Sequence, residues 1–377
     1  MKIGAVVCEY NPFHLGHQYQ LETARNQLEL DGIIGIMSGN FVQRGDVSIY
    51  PKRLRAKAAL SCGMDLVLEL PAVLTLQSAE RYAKNAVSTL NALGCIETLF
   101  FGAECPDTDL LMRIADVLAN ESASFKNQLK SALDSGVSFA AARAMAVKNI
   151  IGSASAEILS KPNNILAVEY CKALITTNSN IKPAAIMRKG AQHDSDISVD
   201  GFASASAIRD KIFNGQEYTE LIPENSPEIY GQTKPFSIQS MEKSIISHIC
   251  LMGPESLADI LDVGEGLENA IYREAMRAES IHGLIDSVKS KRYAYSRIRR
   301  ILICAYLGIT HKDAQISPSY IRILDFNETG QCILNMAKKT ATLPLAKNGA
   351  QIKDNPAAQK LWQRELAIDR IYQLYRE

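Results

Sequence analysis

The sequence predicts an α/β protein: a parallel sheet covered by helices on both faces, interrupted by a helical insertion and followed by a mainly helical C-terminal domain. Three observations predict it. Apolar runs alternate with segments of helical spacing from Ile3 to Gly102. The runs are near-continuous Val, Ile and Leu, as strands buried on both faces must be. The links are short, and the polar, glycine-bearing ones follow strand C-termini, the edge where open α/β sheets hold ligands.

Taken in order, Ile3–Cys8 is the first strand, and the turn Glu9–His17 leads into a helix to Leu30 with Leu21, Ala24 and Leu28 on one face. Gly32–Met37 is the second strand, closed by Ser38-Gly39-Asn40. Lys52–Cys62 is a short basic helix ended by Gly63, and Asp65–Leu70 a third strand stopped by Pro71. Ser78–Leu93 is a helix ended at Gly94, and Ile96–Phe101 a fourth strand stopped by Gly102. Residues 107–177 read as helices, an insertion before the fifth strand at Lys182–Met187. A polar loop, His193–Asp200, precedes a helix opened by Ser204. Pro223, Pro227, Gly231 and Pro235 interrupt the periodicity, so a domain boundary is expected between 215 and 236. Helices are expected again over 237–310. The last part, 318–377, has a helix-like start, a strand-like piece at Thr342–Leu345 and a helix from Asn355.

Composition narrows the function classes. The 377 residues carry 41 basic and 41 acidic side chains, so a nucleic-acid partner would need a local basic patch. The 8 cysteines form no CxxC pair and lie mostly in apolar contexts, which points to reduced, buried thiols and a cytoplasmic location and away from a zinc site. No signal-peptide pattern opens the chain, and no run approaches the roughly 18 apolar residues of a membrane span.

The chemistry centres on His14-Leu15-Gly16-His17. After a strand and at a helix start, free backbone N–H groups and the positive dipole end favour an anion. Imidazole N–H groups add donors, and Gly16 lets the backbone approach closely. The two histidines, three apart at a helix start, face one way. The loop Gly39-Asn40-Phe41-Val42-Gln43-Arg44-Gly45 brackets an arginine and two amides; it suits a small-acid or phosphate pocket, or is an ordinary polar loop. Lys52, Arg53, Arg55 and Lys57 suit phosphate, RNA or a plain solvated face. Six basic residues and two tyrosines fall between Lys289 and Arg300, a pattern suited to RNA phosphates and unpaired bases, or to an exposed cationic face.

The stretch Glu9–His17 resembles the HxGH signature of the nucleotidylyltransferase superfamily. With Met37–Gly45, Pro162-Asn163-Asn164-Ile165-Leu166 and Lys291-Arg292-Tyr293, the resemblance is to the bacterial tRNA(Met) cytidine acetate ligase family, nearly end to end. It implies a Rossmann-like nucleotidylyltransferase core over 1–220 and a tRNA-binding domain over 235–377. The implied reaction uses ATP with Mg2+, activates acetate as acetyl-AMP, and acetylates N4 of the wobble cytidine of elongator tRNA(Met). Catalytic roles fall to His14 and His17. Nucleotide contacts fall to Val7, Glu9, Asn11, Pro12, Phe13, His14, Gly16, His17, Gln20, Gly102, one of Asn163 and Asn164, Arg188, Ser204 and Ser206. Gly39, Asn40, Gln43 and Arg44 are expected at the substrate. Lys289, Lys291, Arg292, Tyr293, Arg297, Arg299 and Arg300 are expected at the RNA. Ala205 stands where the superfamily commonly has serine, and the KMSKS signature of class I synthetases is absent. A small-molecule nucleotidylyltransferase would share the first domain without needing the basic segment. A non-catalytic RNA-binding protein would not need His14, Gly16 and His17.

Overall fold

Strands that are apolar on both faces pair side by side and take helices on each side. The structure, a computed structural model, describes residues 1–189, 201–290 and 293–376. Its strands are β1 (Ile3–Cys8), β2 (Gly32–Ser38), β3 (Phe41–Val42), β4 (Asp46–Val47), β5 (Leu66–Leu70), β6 (Thr98–Ala103), β7 (Lys182–Met187), β8 (Ile321–Phe326) and β9 (Leu345–Ala346). Seven form one sheet in the order β7-β6-β1-β2-β5-β8-β9, and β3 and β4 form a small antiparallel ribbon. From β7 to β5 every pairing is parallel. The chain moves outward from β1 through β2 to β5, then returns to lay β6 on the other side of β1. The ends of β1 and β6 therefore flank a topological switch point.

Alternate residues of each strand enter different cores. Ile34, Ile36, Leu66, Leu68, Leu99 and Phe101 face the helices Ala79–Asn91, Thr108–Asn120 and Pro162–Thr176. Val6, Ile33, Met37, Val67, Phe100 and Ile186 face the helices Leu15–Gln27 and Lys52–Ser61. The expected insertion is helical throughout. Ser78, Asp107, Ser122 and Ser138 each cap a helix by accepting the N–H three residues on.

The C-terminal third differs from expectation in one respect. The helix-like start at 318 is the strand β8, which pairs antiparallel with β5 and carries β9 beside it. A short apolar run such as Ile-Arg-Ile-Leu-Asp-Phe fits either period, and here the open edge of β5 decides. The final residues thus complete the sheet that begins with β1. Helix Pro356–Leu374 then closes over the same edge with Leu361, Trp362, Ile368 and Tyr372 buried.

Beneath that helix lies a buried polar cluster. Lys52 Nζ bridges Glu69 and Asp369, and Arg322 pairs with the same two carboxylates. Asn40 Nδ2 donates to Asp369 at 2.9 Å, and the Ala72 N–H donates to Glu365 at 2.7 Å. Burial and the neighbouring Glu69 push the Glu365 carboxyl up to about 8, so it is protonated at neutral pH.

Candidate active site

The helix Leu15–Gln27 begins with His14 as its N-cap in extended conformation. The Gly16 N–H donates to His14 Nδ1 at 3.0 Å, and the His14 N–H donates to His17 Nδ1 at 3.3 Å. The two rings stack with centroids 3.6 Å apart. Gly16 permits this: a Cβ there would lie 2.9 Å from His14 Cε1. With both Nδ1 atoms accepting, each neutral ring carries its proton on Nε2. Burial, with Arg188 and Arg209 nearby, takes His14 down to about 3. Burial, His14 and Arg188 lower His17 as well. Both are uncharged N–H donors at neutral pH.

They line a cleft at the switch point, with Gly16, Tyr19, Gln20, Gly102, Ile186, Met187, Arg188, Lys189, Phe202 and Ala203. The helix N-terminus after β1, the end of β6 and the residues after β7 therefore converge. Gly102 gives Arg188 room, since a Cβ there would sit 3.1 Å from Arg188 Cγ. The site presents two neutral donors, a helix N-terminus and two cations. That combination binds phosphate and stabilises charge developing on it.

Other expected contacts hold the turn in place. Asn11 is buried; its Oδ1 accepts the Ile49 N–H at 2.8 Å and its Nδ2 donates to the Val47 carbonyl at 3.2 Å. Glu9 Oε1 accepts the Gln43 N–H at 2.8 Å. Pro12 and Phe13 are buried, and Val7 is half-buried in its strand. Ser204 caps its helix through the Ala207 N–H at 3.1 Å, with Ser206 Oγ 2.9 Å from Ser204 Oγ. Asn163 and Asn164 both grip the turn after β6: Asn163 Nδ2 donates to Glu104 at 2.6 Å, and Asn164 Oδ1 accepts the Glu104 and Cys105 N–H groups. Asn164 is buried in that role, and neither asparagine lines the cleft.

The loop expected at the acid substrate faces the buried cluster. Gly39 packs on Glu69, Asn40 binds Asp369, and Gln43 Nε2 donates to the Gln77 carbonyl at 2.8 Å. The Arg44 carbonyl accepts from Arg299 at 3.1 Å. Lys52 and Arg55 are also interior. Arg55 donates to the carbonyls of Glu9, Ser38, Gly39 and Tyr50, tying the strand ends together.

The described arginines of the basic segment make contacts within the chain. Arg300 is buried against Asp262, and Arg299 pairs with Asp46 at 3.2 Å. Arg297 donates to the Asp262 carbonyl at 2.9 Å and lies over the Tyr293 ring. Arg299 fastens helix Tyr295–Tyr306 to the β3–β4 ribbon, where a Cβ on Gly45 would overlap the Arg300 backbone, while Arg297 and Arg300 fasten it to Asp262. Lys289 is exposed. Lys291 and Arg292 lie outside the described residues, as does the loop His193–Asp200.

Sequence reasoning passed over Lys189, although it adjoins Arg188, and the aromatic pair Tyr19 and Phe202 at the cleft. It also passed over Glu104 as the partner of Asn163. The charge of Glu69 inside an apolar strand was the available sign of the buried cluster.

A model of the HIGH Nucleotidyl Transferase family matches residues 1–377. The tRNA(Met) cytidine acetate ligase of Thermoanaerobacter sp. strain X514 is 40% identical, covering 99% of this chain and 95% of that one. That of Clostridium perfringens strain SM101 is 39% identical over 94% and 92%. The apo crystal structure of Thermotoga maritima TmcAL superposes with a TM-score of 0.95 at 32% identity, covering 100% of this chain and 95% of that one. The form bound with alpha-thio ATP superposes at 0.92 with 33% identity and the same coverage. With its histidine turn at the switch point and this likeness along its whole length, the chain belongs to the tRNA(Met) cytidine acetate ligase family of HIGH nucleotidyl transferases.

Proposed function

We propose that the chain is an ATP-dependent ligase that condenses acetate with ATP and acetylates N4 of the wobble cytidine of elongator tRNA(Met). The observation that supports this most is the stacked pair of neutral histidines in a cleft that also holds Arg188 and Lys189. An acetate oxygen attacks the α-phosphorus in line, and pyrophosphate leaves. The Nε2–H groups of His14 and His17 and the two cations stabilise charge on the phosphate oxygens, at the positive end of helix Leu15–Gln27. The cytidine amine then attacks the acetyl carbon, the carbon–oxygen bond breaks, and AMP leaves with the acetate-derived oxygen.

Among the described residues that line the cleft none is a carboxylate, so Mg2+ would arrive with the triphosphate. It would neutralise phosphate charge there. Of the basic side chains described in that segment, Lys289 is the exposed one, available to an RNA phosphate. The acceptor base comes from a single-stranded loop, so extruding it costs little.

The test supplies ATP, labelled acetate and tRNA, omitting each in turn. Label should reach RNA only when all three are present. Labelling without ATP would overturn the proposal. So would no labelling while a pantetheine or nicotinate nucleotide substrate reacts.

A further inference from the structure

The proline-rich segment after the core sends one side chain back to the histidine turn. Tyr230 ends the short helix Ser226–Tyr230 and is 3% exposed. Its ring stacks on Tyr50 with centroids 4.1 Å apart and planes 11° apart. Its hydroxyl oxygen accepts the N–H of Phe13 at 3.2 Å. Phe13 is fully buried and directly precedes the N-cap His14.

We propose that Tyr230 is a positioning residue for the adenylating histidines, acting through the Phe13 backbone. The His14 N–H lies on the peptide plane next to the one Tyr230 holds, and it donates to His17 Nδ1. Rotation of the backbone at Phe13 therefore moves the bond that orients His17. It also moves the His14 ring that accepts the Gly16 N–H. The turn is already anchored on its other side. Arg209 Nη1 donates to the Asn11 carbonyl at 2.8 Å, and the Asn11 side chain is bound to Val47 and Ile49. Tyr230 fixes the remaining stretch between Asn11 and His14. The Phe13 N–H is too buried to turn to bulk water, and an unmet buried donor forces the backbone to shift. Displacements of about 1 Å at a reacting centre cost on the order of a hundred-fold in rate.

The kinetic arm of the test rests on the adenylation reading above; the spectroscopic arm does not. Wild type, Tyr230→Phe and Phe125→Leu are compared. Phe125 is buried in the helical insertion, so its variant serves as a matched loss of thermal stability. Tyr230→Phe keeps the ring and removes the acceptor. In acetate-dependent exchange of pyrophosphate into ATP, it should lower kcat by roughly ten- to a hundred-fold. The KM for ATP should stay within about two-fold. The ring Cε1–H resonances of His14 and His17 should shift, while those of His248, His282 and His311 stay in place. Phe125→Leu should lower Tm and leave both readouts unchanged. Unmoved His14 and His17 resonances in Tyr230→Phe would overturn the proposal, as would an equal kcat loss in Phe125→Leu at matched Tm. A wild-type protein without exchange would contradict the ligase reading alone, and the resonances would still decide the role of Tyr230.

Discussion

His14 donates from Nε2 because its Nδ1 already accepts the Gly16 N–H, and it stays neutral because burial and two arginines oppose a charge. This gives stability a pH dependence with a definite sign. An unfolded histidine protonates near 6.5, whereas the folded His14 resists until about 3. Between those values the unfolded chain binds more protons, so stability falls as pH falls. In thermal unfolding from pH 7 to 4, the stability of wild type relative to His14→Gln should fall as pH falls; a constant difference would contradict it. The histidine pair was legible in the sequence because two imidazoles flanking a glycine between strand and helix leave few other uses. Which nitrogen accepts and which donates was not, because a ring flip leaves the sequence unchanged. Asn163 and Asn164 illustrate the same limit. Their helix-start position was visible, but their partner is Glu104, fixed by the packing of a helix some sixty positions on against the end of β6.

At the scale of elements, charge in the sequence was a poor guide to exposure. Lys52 and Arg55 lie on a helix that reads as a basic surface, yet both are interior because the carboxylates and carbonyls that meet them come from distant segments. Removing one partner of a buried ion cluster leaves the others uncompensated. Lys52→Met should therefore destabilise the fold by about 3–5 kcal/mol in denaturant titration. Glu365→Gln should cost under about 1 kcal/mol near pH 7, since the native carboxyl already holds its proton. Because that group's folded pKa is raised, the folded state binds the extra proton between the ordinary carboxyl range and about 8. The contribution of Glu365, read as the stability of wild type minus that of Glu365→Gln, should then decline as pH rises through that window, opposite in sign to that of His14. Arg300 belongs to the same lesson. Arg300→Ala should lower Tm by removing the partner of Asp262, while the salt dependence of tRNA binding stays as in wild type; Lys289→Ala should reduce that slope by about one. A reduced slope in Arg300→Ala with unchanged Tm would return that arginine to the RNA surface.

Across the whole molecule, the first five sheet strands were readable because each is a continuous apolar run set apart by a helical segment. The closing of the sheet was not, because β8 is short, carries Arg322 and Asp325, and pairs with β5 from more than two hundred residues away. That pairing makes the C-terminal segment part of the same sheet that carries the histidine turn. No helix among the described residues is long and apolar enough to cross a membrane. The switch point between β1 and β6 gathers the histidine turn, Gly102 and Arg188, and in the proposed reaction acetate attacks the α-phosphorus of ATP there. The direct measurement uses acetate labelled with oxygen-18 in both carboxylate positions, with ATP and tRNA, and locates the label by mass spectrometry. One labelled oxygen should appear in the phosphate of AMP, with pyrophosphate unlabelled. Labelled inorganic phosphate appearing with ADP would place the attack on the γ-phosphorus and contradict it.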